Sequence, residues 1–240
     1  MEEKELKTSL KQRIMIAVIA IVMVGSILAS YAAIVINGSK SSSSTTTSGV
    51  SEEKIAQYSE EYTTKLAAFK KVSASDFETF LPYKSEVKAY NEAAANANGV
   101  QTRDLLKGTG RKLTEDDTDY LAYYVGWCAD ETVFDSSFDS ATNPTAFAKA
   151  LDASLGMIEG WNVGVIGMRL GGVREVTVPG ELAYGSSMEI CGGYDKPLKF
   201  LVMAVANEEP LKTAAAELDT AYLKLQYAYY GIDYEEVYGK

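Results

Sequence analysis

The chain has 240 residues, a formal net charge of −10 at pH 7, no histidine and two cysteines. The acidic balance argues against nucleic acid as a partner, because phosphate binding needs clustered lysine and arginine. The lack of histidine excludes His-based acid–base catalysis, Ser-His or Cys-His nucleophile pairs and His metal sites, and two cysteines are too few for a structural zinc. We expect no metal, no cofactor and no nucleophile.

Residues 14–36 form an uncharged, mostly apolar run. As a helix this run spans about 34 Å, which is enough to cross a hydrocarbon core of about 30 Å. Four cations precede it and only Lys40 follows closely, the four being Lys4, Lys7, Lys11 and Arg13. By the positive-inside tendency, residues 1–13 form a cytoplasmic tail and everything after the span lies outside.

A cleaved signal peptide is the competing interpretation of this run. Ser30-Tyr31-Ala32 offers small residues at plausible cleavage positions. Because Ile34-Val35-Ile36 continues the apolar run past that site, an uncleaved transmembrane anchor is favoured.

Residues 37–51 are nearly all Ser, Thr and Gly and predict a flexible linker. A helical extension over 52–99 follows, in which one apolar face repeats every three or four residues: Ile55, Tyr58, Tyr62, Leu66 and Phe69. Ser75 and Glu78 fit a capping box for a second helix, which Pro82 should interrupt before a helix resumes over 83–98. The extension either packs on the neighbouring domain or forms a dimerisation or client-holding arm.

From Val100 onward the pattern changes to short segments rich in Val, Tyr and Phe, bounded by turn residues. These predict strands at 119–127, 132–136, 173–178 and 199–206, with one helix over 159–168. Several strands with a single short helix indicate an α+β domain over 100–209. After Pro210 a helix and tail over 210–240 are expected, with Leu218, Tyr222, Leu225 and Tyr229 on one face.

The segment 155–185, LGMIEGWNVGVIGMRLGGVREVTVPGELAYG, carries the most information about function. It contains Gly160-Trp161 and ends in ELAYG, and it follows YVG at 124–126 and VFDSS at 133–137. In this order and spacing the chain resembles the FKBP-type peptidyl-prolyl isomerases, from about Val100 to Glu208. The resemblance implies a twisted antiparallel sheet around one short helix, flanked here by the transmembrane helix and the other helices. It also implies that the protein speeds rotation about X–Pro bonds.

Such catalysis needs no general base. The barrier to rotation is about 18–20 kcal/mol, because the planar amide is stabilised by resonance. At the top of the barrier the amide is twisted and its charge separation is reduced, so an apolar pocket disfavours the planar form more than the twisted one. Shape, low polarity and a few hydrogen bonds suffice.

The resemblance implies four catalytic residues: Phe134, Asp135, Trp161 and Tyr184. Trp161 would lie beneath the proline ring, with Phe134 as a wall. The Tyr184 hydroxyl would donate a hydrogen bond to the ligand. Asp135 would accept a hydrogen bond from Tyr124 and face the twisting amide; its alternative is a solvated aspartate at a strand end.

Five further residues are implied as substrate-binding: Tyr124, Met157, Ile158, Ile190 and Phe200. Tyr124, Met157 and Phe200 correspond to wall positions, and the backbone N–H of Ile158 would bind a ligand carbonyl. Ile190 is the one clear apolar candidate in the segment 185–197, where the family usually has a Pro-rich, His-containing flap. Macrolide affinity and substrate preference therefore stay open.

Two other departures concern the walls of the pocket. Family members often have a basic residue near Ser140 to pair with the pocket aspartate, and a serine cannot do so. The stretch 144–156 is also longer than in short members, which leaves open whether Phe147 lines the pocket.

Cys128 and Cys191 are the only cysteines of the chain. In a compartment outside the membrane, two cysteines favour a disulfide over two free thiols.

Together these features predict a single-pass membrane protein whose extracytoplasmic domain isomerises X–Pro bonds of exported proteins. Its partners would be proline-containing exported polypeptides and the membrane, and a homodimer through the extension is the alternative use of those helices. The alternative function is a folding chaperone or proline-peptide binding module with little catalysis. A spacer built on an inactive fold is the third interpretation.

Overall fold

The computed structural model describes residues 50–239. The predicted cytoplasmic tail, the predicted anchor at 14–36 and residues 37–49 of the predicted linker lie outside the described residues. Between residues 50 and 239, no helix is both long enough and apolar enough to cross a membrane.

An antiparallel sheet with six strands forms the centre of the described part. The strands are β1 (Gln101–Leu106), β2 (Tyr120–Trp127), β3 (Val133–Ser136), β4 (Leu151–Asp152), β5 (Val173–Val178) and β6 (Leu198–Ala206). Their order across the sheet is β1-β5-β6-β2-β3, and the short β4 also pairs with β2. The α+β architecture and the four predicted strands are confirmed, whereas β1 and β4 were not predicted.

Six α-helices accompany the sheet in the described part. They are α1 (Glu52–Val72), α2 (Ala74–Phe80), α3 (Glu92–Ala97), α4 (Glu159–Val165), α5 (Leu211–Tyr229) and α6 (Tyr234–Tyr238). Short 3₁₀ turns lie at Leu81–Glu86, Ala153–Leu155, Gly180–Leu182 and Gly185–Ser187.

Both faces of the sheet are covered, and β2 is buried along its whole length. Successive side chains of a strand point to opposite faces. Tyr123 therefore joins one core, which the helices α1, α2 and α5 close with residues such as Phe69 and Leu218. Tyr124 joins the other core, against the single helix α4 that carries Trp161. The second face is the one that holds the candidate site.

The helices α1 and α5 pack along each other beyond the sheet. Tyr58 and Leu225 belong to a small core between them. The Lys224 ammonium lies 3.1 Å from a Glu61 carboxylate oxygen, and the hydroxyl of Tyr58 and the ammonium of Lys54 both bind Asp233. The extension thus packs on the sheet and on helix α5 of the same chain.

The predicted helix over 83–98 was wrong for its first half. Pro82 lies in the 3₁₀ helix Leu81–Glu86, and the backbone is extended at Val87. Within 83–98 only α3 is α-helical, and it is capped by the Asn91 side chain, which accepts the Ala94 N–H. The capping box was also wrong, because α2 begins directly after Ser73.

The predicted helix over 159–168 ends earlier, at Val165. Ile166 is extended, and the buried Arg174 guanidinium donates to the carbonyls of Gly164 and Ile166 at 2.9 Å each. An arginine from the neighbouring strand thus satisfies the last carbonyls of α4, which fixes where this helix ends on the sheet.

Candidate functional site

Four predicted aromatic residues meet on the α4 face of the sheet. The Trp161 ring lies edge-on to Phe200, at 5.5 Å between centroids, and edge-on to Tyr124, at 5.9 Å. Phe134 lies edge-on to Phe200 at 5.7 Å. The Trp161 N–H donates to the Tyr120 hydroxyl at 3.1 Å, so the buried indole has its polar atom satisfied. The strands and α4 together build one aromatic surface.

Two glycines allow these rings to approach. A Cβ on Gly126 would come within 2.6 Å of the Phe134 ring and 2.9 Å of the Phe200 ring. A Cβ on Gly160 would come within 2.2 Å of Val178, so this glycine lets α4 lie directly on β5. The Gly-Trp pair of the sequence therefore sets the depth at which the indole lies.

Asp135 is the polar wall of this surface, and its side chain is only 9% exposed. The Tyr124 hydroxyl donates to one carboxylate oxygen. The other oxygen accepts the Ser136 N–H at 2.8 Å and the Lys149 ammonium at 2.5 Å. A buried carboxylate is costly unless it is paired and hydrogen-bonded, and here both conditions hold. The alternative of a solvated strand-end aspartate is not what the structure shows.

Lys149 is a site residue that the sequence did not lead us to predict. The expected position near Ser140 holds no cation, and the Ser140 hydroxyl instead accepts the Asn143 N–H at 3.3 Å. Lys149 comes from the lengthened stretch before β4, and its ammonium lies 5.3 Å from the centroid of the Tyr124 ring. It is the only cation of the sequence between Asp135 and Arg169, which was the available signal.

Phe147 does not line this surface. It is fully buried on the opposite face of the sheet, stacked on Tyr123 with 3.9 Å between ring centroids. The longer stretch before β4 therefore adds to the core beneath the extension and sends Lys149 to the site.

The remaining predicted residues lie at the edge of the aromatic surface. Met157, Ile158, Tyr184 and Ile190 are partly buried and pack against the cluster that contains Trp161. Ile158 is the N-cap of α4, and its carbonyl accepts the backbone N–H of Trp161 at 3.0 Å. Burial, with the negative charge of Asp135 as a smaller cause, raises the pKa of Tyr184 to about 12, so its hydroxyl keeps its proton at neutral pH.

The two cysteines are joined. Cys128 and Cys191 form a disulfide with 5.5 Å between their Cα atoms, which ties the segment after Tyr184 to the end of β2. Cys191 has a φ of 56° and lies between Ile190 and Gly192 in a turn closed by a bridge between Ile190 and Gly193.

A second carboxylate, that of Asp219 on α5, interacts electrostatically with Lys149 and Tyr124 of the site. Burial, and then the negative charge of Asp152, raise the pKa of Asp219 to about 7, while the positive charge of Lys149 acts in the opposite direction. Burial, and then the charge of Asp135 and its hydrogen bond, raise the pKa of the Tyr124 hydroxyl, and the charge of Asp219 is a small further cause. No sequence signal indicated this residue, because it lies outside the part of the chain that resembles the family.

We predict that the Asp219 carboxyl makes the free energy of unfolding depend on pH. Its pKa in the folded protein lies above the ordinary 3.8. The group therefore stabilises the fold below about pH 4, and this contribution is lost as the pH rises to about 7. The Asp219→Asn variant has no carboxyl at this position and should not lose this stability. Relative to the wild type, we expect it to become more stable by about 1–3 kcal/mol between pH 4.5 and pH 8. Urea unfolding at both pH values measures this, and an unchanged difference would contradict it.

Comparison with known proteins agrees with this geometry. Residues 110–205 match the family of FKBP-type peptidyl-prolyl cis-trans isomerases. An FK506-binding protein of Neisseria meningitidis serogroup B is 33% identical over 110 residues, covering 45% of this chain and 92% of that protein. FK506-binding protein 4 of Chaetomium thermophilum is 38% identical over 88 residues, covering 37% of this chain and 17% of that protein.

Solved structures give matches of low overall similarity. FkpA from Escherichia coli matches at 23% identity with a TM-score of 0.35, over 65% of this chain and 72% of that one. AtFKBP13 matches at 26% identity with a TM-score of 0.36, over 46% of this chain and 94% of that one.

The fold and the aromatic site, together with these sequence matches, define an FKBP-type isomerase domain. The chain belongs to the FKBP-type peptidyl-prolyl cis-trans isomerase family and is an enzyme of that class.

Proposed function

We propose that this isomerase acts on X–Pro bonds of exported proteins outside the membrane, and that it binds the twisted amide in the aromatic site. The observation that carries the chemistry is the combination of the Trp161 surface with a fully paired Asp135. An apolar floor seats the pyrrolidine ring and fixes its orientation. The paired Asp135 carboxyl group beside it lies next to the amide and takes no part in a proton transfer.

Each residue then has a defined role in the rotation. Trp161 is the floor, and Phe134, Tyr124, Phe200 and Met157 are the walls. The Tyr184 hydroxyl, which keeps its proton, donates to a substrate carbonyl, and the Ile158 N–H binds a second one. Because the twisted amide has lost resonance and part of its charge separation, this surface binds it better than the planar amide. Ile190 contacts the substrate from the segment 185–197.

The proposed location rests on three features. A disulfide between Cys128 and Cys191 is typical of oxidising compartments. Residues 14–36 are apolar for long enough to span a bilayer, with cations mainly on the N-terminal side. The net charge of −10 suits a surface that meets unfolded polypeptides rather than nucleic acid. The isomerase domain would therefore be tethered outside by an N-terminal anchor.

Protease treatment of cells tests this location. The full chain, tagged at its N-terminus, is expressed in bacteria that are converted to spheroplasts, and protease is added outside. We expect the domain from Val100 onward to be degraded while a short tagged fragment stays in the membrane fraction. A cytoplasmic marker protein must survive in the same sample. A domain that is cleaved only after lysis would contradict the proposal, and a mature N-terminus at Ala33 would contradict the anchor alone.

A further inference from the structure

Two segments, one inside and one outside the part that matches the family, meet beside the site. We call residues 180–197, between β5 and β6, the flap; it carries Tyr184, Ile190 and Cys191. We call residues 87–97 the strap; it consists of an extended stretch and the helix α3. The strap lies before residue 110, where the family match begins.

The strap holds the first end of the flap through Asn96. The Asn96 side-chain oxygen accepts the N–H of Gly180 at 2.8 Å. At this point the backbone at the two ends of the flap is in close contact: a Cβ on Gly180 would lie only 2.0 Å from the carbonyl oxygen of Asp195, so only glycine fits here. The Asp195 N–H in turn donates to the Gly185 carbonyl at 2.9 Å. One side chain of the strap thus binds the position where the two ends of the flap touch.

The strap holds the second end of the flap through Tyr90 and Glu92. The Tyr90 hydroxyl donates to the Pro197 carbonyl at 2.8 Å. The Lys196 ammonium lies 2.8 Å from a Glu92 carboxylate oxygen. Tyr90 is partly buried, and the Lys199 ammonium lies 5.4 Å from the centre of its ring. Both ends of the flap are therefore bound by residues that lie within seven positions of one another, Tyr90 to Asn96.

The strap is itself fixed to the end of β2. The Trp127 indole N–H donates to the Lys88 carbonyl at 3.0 Å. The Tyr90 N–H donates to the Ala129 carbonyl at 3.1 Å, and the Ala89 N–H to a Glu131 carboxylate oxygen at 3.1 Å. The strand that carries Tyr124 therefore positions the strap, the strap positions the ends of the flap, and the disulfide from Cys128 positions its middle.

We infer that Tyr90 and Asn96 are positioning residues for the isomerase site: they close the flap that presents Tyr184 and Ile190 to the substrate. This inference rests on the isomerase activity of the chain and extends the site beyond the matched domain. A loop of this length that is not closed loses conformational entropy when it becomes ordered around a substrate, and this loss weakens binding. A flap that is already closed before the substrate binds avoids the loss. Tyr90 and Asn96 should therefore affect KM rather than the rate of the rotation step.

The test uses the full chain in detergent and two single variants, Tyr90→Phe and Asn96→Ala. Asn96→Ala removes the acceptor of the Gly180 N–H and leaves the helix in place. Tyr90→Phe leaves the ring in place and removes the hydroxyl that donates to the Pro197 carbonyl at 2.8 Å and also lies 3.3 Å from the Trp127 carbonyl. We expect KM for an X–Pro peptide to rise about threefold to tenfold in each, with kcat changed less than twofold. Reduction of Cys128–Cys191 by a small thiol should quicken by a similar factor, because a looser flap exposes Cys191. This second readout does not depend on activity.

Matched controls separate flap positioning from helix stability. Asn98→Ala removes a side-chain hydrogen bond to the Ala94 carbonyl at the end of the same helix, and Tyr83→Phe changes a tyrosine that packs against the opposite core. Both should keep KM and the reduction rate of the wild type. Asn96→Asp keeps an acceptor for the Gly180 N–H and should restore both values.

Several results would overturn the inference. One is a KM and a reduction rate in Tyr90→Phe and Asn96→Ala that equal those of the controls. Another is a fall in kcat with KM unchanged, since that would place these residues in the rotation step. A melting midpoint that falls equally in Asn96→Ala and Asn98→Ala, with equal kinetic losses, would assign the effect to α3 stability. Wild-type protein without isomerase activity would instead refute the function, independently of the reduction rates.

Discussion

Replacing Asp135 by alanine is expected to lower kcat/KM for X–Pro peptides about tenfold to a hundredfold while the domain stays folded. Each factor of ten corresponds to about 1.4 kcal/mol of transition-state stabilisation. Asp135 fixes the Tyr124 hydroxyl and receives the Lys149 ammonium, so its loss frees both groups beside the pocket. The Lys149 side chain is 27% exposed and can turn toward water, which limits the cost to stability. A protease-coupled peptide assay measures the rate.

Asp139→Ala is the matched control for this variant. Asp139 lies in the connection that follows β3, binds the Lys70 ammonium at 2.9 Å and accepts the Thr145 N–H at 2.9 Å, on the side of the extension. Despite partial burial, the Lys70 ammonium and the Thr145 and Ala146 hydrogen bonds lower the pKa of Asp139 to about 2. Removing it should reduce the free energy of unfolding without a comparable loss of kcat/KM. Equal losses of activity in the two variants would show that Asp135 acts only through stability.

The strongly patterned elements were the ones that sequence could predict. β2, β5 and β6 are rich in β-branched and aromatic residues because both faces of the sheet are covered. The predicted range of β5 equals the observed one, and those of β2 and β6 each differ from it by one residue. β1 was missed because four of its residues are exposed and polar. It pairs with β5 through backbone hydrogen bonds, which leave no trace in side-chain periodicity.

The candidate site also has a part that the sequence predicted and a part that it did not. The aromatic residues and the Tyr124–Asp135 pair belong to short motifs that can be recognised in the sequence, and the structure places these residues together. Lys149 was missed because it reaches Asp135 across a connection whose length differs from the family pattern. Asp219 lies on a helix outside the resemblance. The first half of the strap is extended because Lys88, Ala89 and Tyr90 bind residues 127–131 rather than their own neighbours. Contacts of this kind depend on tertiary structure, which a single sequence does not show.

Reducing the Cys128–Cys191 disulfide is expected to lower the free energy of unfolding by about 2–4 kcal/mol. The bridge spans a sequence separation of 63 residues, and closing a loop of this size in the unfolded chain removes much of its conformational entropy. A typical domain is stable by only about 5–15 kcal/mol, so the loss should appear as a clear fall in the thermal midpoint. The measurement compares oxidised and reduced protein by thermal unfolding and by thiol alkylation under denaturing conditions.

A variant with both cysteines replaced by alanine separates the bridge from other effects of the reductant. It should unfold at the midpoint of the reduced wild type and should not respond to reductant. Full alkylation of both thiols, in protein purified from an oxidising compartment without reductant, would show that the bridge is absent in the native protein. The ends of the flap would then depend on Tyr90, Glu92 and Asn96, and its middle on the packing of Ile190. In that case the effects of Tyr90→Phe and Asn96→Ala on KM should increase, because no second constraint would hold Tyr184 beside the aromatic site.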